Sequence, residues 1–245
     1  MTDLDGQVAW VTGAGTGIGE AGAIELADAG CTVVVSGRRR EPLEAVAETI
    51  RAAGGTVAIE PLDVGSQADV AAVAGRILDR YGRVDIGVFS AGINVAERNW
   101  PVLSTDSWDD VINIDLNGAF YCCHAIVPAM RTRGFGLVIN ISSMAAKGAS
   151  ALTGPAYTAA KHAMNALTAS LLVEERNNGI RATAICPGEV ATPILDARPV
   201  PVSDEDKARM LQGDDLGKLI RFVAEMPPHV TLNEILITPT YNRFA

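Results

Sequence analysis

Tyr157-Thr-Ala-Ala-Lys161 sets a phenol and an ammonium four residues apart, on one face if the segment is helical. A free tyrosine ionises at about pH 10, too high to exchange protons readily at neutral pH. A neighbouring positive charge favours the phenolate and lowers that value, so the pair suits general acid–base work. In isolation the pattern also describes an ordinary solvated i,i+4 pair. Ser142 and Ser143 follow the apolar run 137–141, and a hydroxyl at the end of a strand can bond a substrate carbonyl.

A second chemistry is written near the amino end, in Thr12-Gly-Ala-Gly-Thr-Gly-Ile-Gly19. Gly13, Gly15, Gly17 and Gly19 alternate between an apolar run and a helical pattern. Such a turn lets the backbone approach a pyrophosphate resting on a helix N-terminus. The spacing is Gly13-x-x-x-Gly17-x-Gly19, because Ile18 takes the place of the last glycine in the commoner Gly-x-Gly-x-x-Gly. A purely structural turn is the alternative, and its place after the first strand argues for the ligand. The second strand ends Ser36-Gly37-Arg38-Arg39-Arg40, with no acid before Glu41. A carboxylate there would bond ribose hydroxyls and repel a 2′-phosphate, whereas an arginine pairs with that phosphate. NADP(H) is therefore expected over NAD(H), with Arg38 and Arg39 at the phosphate. An exposed basic loop is the bland reading.

A third stretch, Val111-Ile-Asn-Ile-Asp-Leu-Asn-Gly118, carries Asn113, Asp115 and Asn117 at every second position of an apolar run. Asn113 and Asn117 are most simply local packing residues.

The elements that must position these groups follow from the alternation of short β-rich runs with amphipathic segments. Strands are expected near 8–12, 32–36, 56–61, 84–89, 136–141, 181–186 and 233–238. Helices are expected near 18–29, 41–53, 67–81, 105–131, 155–177 and 214–225. That order implies an α/β class: one Rossmann-type domain over 1–245, a doubly wound parallel sheet with helices on both faces. Residues 188–212 form the one long irregular stretch, a length that usually marks a functional lid.

Composition excludes several partners. The chain has 245 residues, 48% of them hydrophobic and 20% charged, enough to bury one substantial core. A formal charge of −9 argues against nucleic acid, whose binders carry a basic stripe. No run approaches the roughly 18 apolar residues of a membrane span. Cys31, Cys122, Cys123 and Cys186 show neither metal-ligand nor paired spacing, which fits a reducing cytoplasm and no metal site. The opening MTDLDGQVAW lacks the basic and apolar regions of a signal peptide and reads as mature protein.

Taken in order, these motifs resemble the short-chain dehydrogenase/reductase family over essentially the whole chain. Thr12 through Gly19 resembles its cofactor turn. Asp63-Val64 matches its adenine-contacting pair, and Ala91-Gly92 the end of its Asn-Asn-Ala-Gly motif. Ser143, Tyr157 and Lys161 match its catalytic serine, tyrosine and lysine, with Ser143 fourteen residues before Tyr157. Pro187-Gly188 and Thr192 match the segment that holds the nicotinamide carboxamide, with Val190 between them also at the cofactor. The resemblance implies an oxidoreductase that moves hydride between a nicotinamide and a carbonyl carbon. Tyr157 would handle the proton, Ser143 the oxygen, and Lys161 the nicotinamide ribose and the tyrosine pKa.

Three departures qualify it. Phe89-Ser90 stands where the family has Asn-Asn, and binding is expected to survive because the glycine is kept. The ending Asn233-Glu-Ile-Leu-Ile-Thr-Pro-Thr240 is similar to NADP-dependent dehydrogenases of 3-hydroxy acids, serine-type substrates and related small alcohols. Asp115 occupies the place of the family's fourth catalytic residue, an asparagine whose main-chain carbonyl holds a water linked to the lysine. A carbonyl does not depend on the side chain, so aspartate is expected to keep the relay. The resemblance also implies a homodimer or homotetramer through the helices over 105–131 and 155–177. The second of these is nearly free of charge on every side, so burial all round is expected. Residues 194–211 would form the substrate lid, with Arg198 and Arg209 as surface charges or as contacts to an acidic substrate. The expected activity is the interconversion of a small secondary alcohol, such as a 3-hydroxy acid, and its ketone. The alternatives are a dinucleotide sensor or scaffold that has lost turnover, and a nucleoside-cofactor methyltransferase. The latter would need an acid after the second strand.

Overall fold

The computed structural model describes residues 2–241. Its seven strands are β1 (Val8–Thr12), β2 (Thr32–Ser36), β3 (Thr56–Ile59), β4 (Ile86–Phe89), β5 (Gly136–Ile141), β6 (Ile180–Pro187) and β7 (Glu234–Ile237). All pairings are parallel, in the order β3-β2-β1-β4-β5-β6-β7. The central strands β1, β4 and β5 are buried along their whole length, which is why they read as unbroken apolar runs. At the edge, β7 alternates exposed and half-buried residues.

Side chains two apart along each strand share a face. Ala9, Val11, Val33, Val35 and Val88 pack toward α1 (Gly17–Asp28), α2 (Arg40–Ala52) and α8 (Gly213–Ala224). Val8, Trp10, Val34, Phe89 and Val138 pack toward α3 (Gln67–Tyr81), α5 (Gly118–Arg133) and α6 (Gly154–Glu175). Phe89 is fully within this second core, edge-on to Trp10 with ring centroids 5.7 Å apart. A phenylalanine at this position thus serves the packing of the second core.

The sequence differs from the structure at two places. The helix expected over 105–131 is α4 (Thr105–Ile112) and α5 joined by a π-helical turn, Asn113–Asn117, in which the Gly118 amide bonds the Asn113 carbonyl. The stretch 188–212 is not irregular throughout. It contains a 3₁₀ turn, Pro193–Ala197, and the short helix α7 (Asp204–Arg209), begun by the Ser203 hydroxyl accepting the Asp206 amide. A parallel bridge from Val190 to Leu211 closes the base of that excursion. Among the described residues, no helix is long and apolar enough to cross a membrane and no cluster of three metal-ligating side chains occurs.

Candidate active site

The chain order reverses between β1 and β4, and parallel sheets bind ligands at the carboxyl ends of strands at such a switch point. A cavity of about 660 Å³ opens there. A smaller one, of about 160 Å³, shares Gly13, Arg38 and Arg39 with it.

The glycine turn forms one wall. Gly13 has a φ of +65°, and a Cβ on it would fall 2.7 Å from the Ala91 amide nitrogen, so only glycine lets β1 end against β4. A Cβ on Gly19 would lie 2.4 Å from the Gly13 carbonyl, which fixes how closely α1 approaches the turn. Thr16 precedes α1 without a side-chain cap, leaving the amides of the first helical turn for another acceptor. Thr16, Gly17 and Ile18 line the large cavity, while Gly15, Asp63 and Val64 line the small one. Arg38 and Arg39 are exposed at the rim of both, and neither has a counter-ion among the described residues. Uncapped amides for a pyrophosphate and unpaired guanidinium groups for a phosphate fit a phosphorylated dinucleotide. Ala91, Gly92, Pro187, Gly188, Val190 and Thr192 complete the lining. Thr12 and Gly19 stand behind it and shape the turn.

Opposite the turn, β5 and α6 bring Ser143, Tyr157 and Lys161 to the cavity. Ser143 follows the end of β5 by two residues, its hydroxyl accepts the Ala145 amide at 3.1 Å, and it lies near enough to Tyr157 to favour the phenolate. One helical turn separates Tyr157 from Lys161, whose Nζ lies 5.3 Å from the phenol ring centroid. Burial pushes the Tyr157 phenol above its ordinary value. Lys161 pulls it down as the spacing implies, Asp115 adds to the rise, and Ser143 lowers it. Burial wins.

Asp115 reaches the same group from the π-helical turn. It is fully buried; Oδ1 accepts the Ile93 amide at 2.7 Å, and Oδ2 lies 3.3 Å from Lys161 Nζ. That contact is an ion pair without the alignment of a hydrogen bond, so Oδ2 keeps a lone pair unused. Lys161 donates to the Ile141 carbonyl at 3.2 Å. Burial alone would lower the Lys161 pKa, but Asp115 and then Tyr157 outweigh it and hold the ammonium high. Burial lifts Asp115 above the usual carboxylate range, against the pull of Lys161 and the Ile93 amide. The geometry suits a charged pair: Oδ1 accepts an amide, and among the described residues no other carboxylate lies within ion-pair reach of the ammonium. The side chain therefore contacts the lysine directly, a role that a main-chain relay alone does not give it. A Cβ on Gly92 would sit 3.3 Å from Asp115 Oδ2 and 3.4 Å from Lys161 Nζ, which ties that glycine to the pair. Asn113 and Asn117 serve packing: Asn113 donates to the Gly65 carbonyl at 3.1 Å and accepts from Asn117 at 3.3 Å.

Three charges at the far end correct or extend the sequence reading. Arg198 is not a solvated surface charge; it pairs at 2.8 Å with Glu189, both largely buried on the cavity wall. Arg209 lies outside the lining, half exposed, paired with Glu205 at 2.7 Å and stacked 5.5 Å over Tyr241. Arg98 is buried on the lining and was not foreseen. It follows Glu97 in Asn94-Val-Ala-Glu-Arg-Asn99, where no spacing distinguishes it from a surface residue.

The fold and these groups define a dinucleotide-dependent oxidoreductase class. The description short chain dehydrogenase matches residues 7–200, and the chain belongs to that family. An uncharacterized oxidoreductase of Staphylococcus haemolyticus is 32% identical over 98% of this chain and 100% of its own. A 3beta-hydroxysteroid dehydrogenase of Mediterraneibacter gnavus is 35% identical over 88% of this chain and 77% of its own. Among solved structures, a metagenomic short-chain oxidoreductase in complex with NADP is 32% identical, covering 98% of this chain and 100% of that one, with a TM-score of 0.85.

Proposed function

We propose that this protein is an NADP(H)-dependent oxidoreductase that interconverts a small secondary alcohol and its ketone. The observation that carries this reading is the meeting of Ser143, Tyr157 and Lys161 on one cavity wall, facing a helix start with free amides. Arg38 and Arg39 would hold the 2′-phosphate, and the turn at Gly13, Gly17 and Ile18 the pyrophosphate. When bound, the nicotinamide supplies or accepts the hydride. Ser143 holds the substrate oxygen, and Tyr157 Oη gives or takes its proton. Lys161 binds the nicotinamide ribose and opposes the rise in the tyrosine pKa, while Asp115 keeps Lys161 charged. Residues 188–212 act as the lid, excluding water as the site closes.

The same reading takes the chain as a homodimer or homotetramer. The expectation that α6 is buried all round does not hold within one chain: His162, Ala166, Ser170 and Val173 are exposed along it. On α5, Phe120, His124 and Pro128 are exposed at four-residue intervals. Two adjoining helices with open apolar positions suit a second copy. Four buried free cysteines suit the reducing cytoplasm.

NADPH oxidation across a panel of ketones and oxo acids tests the activity. Tyr157→Phe should lower turnover by roughly 10²- to 10⁴-fold with cofactor binding retained. Cofactor binding without Tyr157-dependent turnover on any substrate would point to a sensor instead. Gly37→Asp with Arg38→Leu should move the NADPH-to-NADH preference by about tenfold or more toward NADH, read as the ratio of kcat/KM values. An unchanged ratio would remove Arg38 from the phosphate site.

A further inference from the structure

One buried charge on the cavity wall has no role in the function proposed above. Arg98, in the loop after β4, is 5% exposed. Its Nε donates to the Val95 carbonyl at 2.7 Å, one Nη to Leu152 at 3.1 Å, and the other to Ala197. The surrounding backbone is fitted closely to it. Asn94 donates to the Thr153 carbonyl at 3.0 Å, and a Cβ on Gly154 would strike the Arg98 carbonyl at 2.3 Å.

Those partners satisfy hydrogen bonds without supplying any negative charge. Apart from the exposed Arg38 and Arg39 at the rim, the other cations of the cavity each have a carboxylate. Lys161 lies 3.3 Å from Asp115, Arg198 lies 2.8 Å from Glu189, and Lys147 lies 2.5 Å from Glu234. Among the described residues Arg98 has none. Burial and then Arg198 disfavour its charge, yet a guanidinium is not deprotonated in proteins. An unpaired buried cation is costly, so a compensating anion is expected where the cavity admits one. Three of five guanidinium N–H groups are engaged, which leaves two for a ligand. The surplus is one positive charge, matched by a monoanion. A planar carboxylate also suits the arginine fork.

We propose that Arg98 anchors a carboxylate on the substrate, making the substrate pair a hydroxy acid and its oxo acid rather than a neutral alcohol and ketone. This rests on the oxidoreductase reading for the reaction but not for the binding. The competing role is structural: Arg98 holds Ala197, and with it the excursion over the cavity, in place.

The test compares pyruvate, acetoacetate and levulinate with their methyl esters, by calorimetric binding with and without NADP⁺ and by NADPH-linked turnover. At least one acid should bind about tenfold or more tightly than its ester. Arg98→Met should collapse that acid-to-ester ratio toward one, and Arg98→Lys should retain part of it. Arg98→Gln reads the same ratio if Arg98→Met does not fold. A structural role would weaken acid and ester alike and keep the ratio, overturning the proposal. So would the absence of any acid preference in the unaltered protein, or turnover of esters alone, and either leaves the oxidoreductase reading intact. Arg98-dependent acid binding with no turnover of any pair would uphold the anion site and reject the oxidoreductase reading.

Discussion

Two carboxylates are fully buried at opposite ends of the same sheet, and they are treated differently. Asp85, at the amino end of β4, accepts the Val8 amide at 2.8 Å and the fork of Arg83 at 2.5 and 2.6 Å. Both its oxygens are used, and Arg83 remains one-third exposed, so its charge is partly hydrated. Asp115, at the carboxyl end, pairs with a lysine as buried as itself and leaves Oδ2 without a hydrogen bond. A carboxylate that only joins strands is saturated. One that lies behind the cavity wall, against Lys161, keeps unspent capacity, and its energy depends on that lysine's charge.

The largest expected effect of that difference is on stability. Asp85→Ala orphans the Val8 amide and the Arg83 fork and should cost about 3 kcal/mol in urea unfolding, without moving the pH dependence of turnover. A loss no larger than that of an exposed acid would remove Asp85 from the frame of the sheet. Lys161→Met comes next, because it strands Asp115 in a dry site. The carboxyl pKa of Asp115 in the folded chain would then lie further above its unfolded value. Such a group stabilises fully below the unfolded pKa and loses that contribution as pH rises through the folded one. Unfolding should thus show the variant weakened by about 2 kcal/mol at neutral pH and recovering under mild acid. A deficit independent of pH would mean that Asp115 is not the group left behind.

The smallest effect is the most local. Asp115→Asn keeps the acceptor for the Ile93 amide and deletes the charge that opposes a Tyr157 phenolate. The variant should stay active, with the tyrosine limb of its pH–rate profile displaced to lower pH by up to about one unit, equivalent to about 1.4 kcal/mol. An inactive variant would show that the carboxylate itself is required.

The strands were legible because buried parallel strands are written as unbroken apolar runs, and the candidate site groups because helical spacing and glycine turns leave local signatures. Expected and observed strand limits agree to within two residues at all seven strands. What escaped was set by tertiary partners. Phe89 looks like a damaged cofactor motif until Trp10, remote in sequence, is placed beside it. Arg98 and Arg198 look like surface charges because their partners lie 54 to 99 residues away for one, and across the base of the 188–212 excursion for the other. The π-helical turn was invisible as well, since its residues are as compatible with an α-helix as any others.

That turn sets an angular phase. Residues along an α-helix advance by about 100° each, and a π-turn slips the ladder by one residue. Upstream of the slip, α4 is docked by its own face; within it Asp115 points in, and downstream Phe120, His124 and Pro128 point outward. Deleting one residue between Asn113 and Asn117 would leave a regular helix of nearly the same composition. It would also rotate the lysine-facing acid and the outward row relative to each other, so the two ends of this helix share one vernier setting.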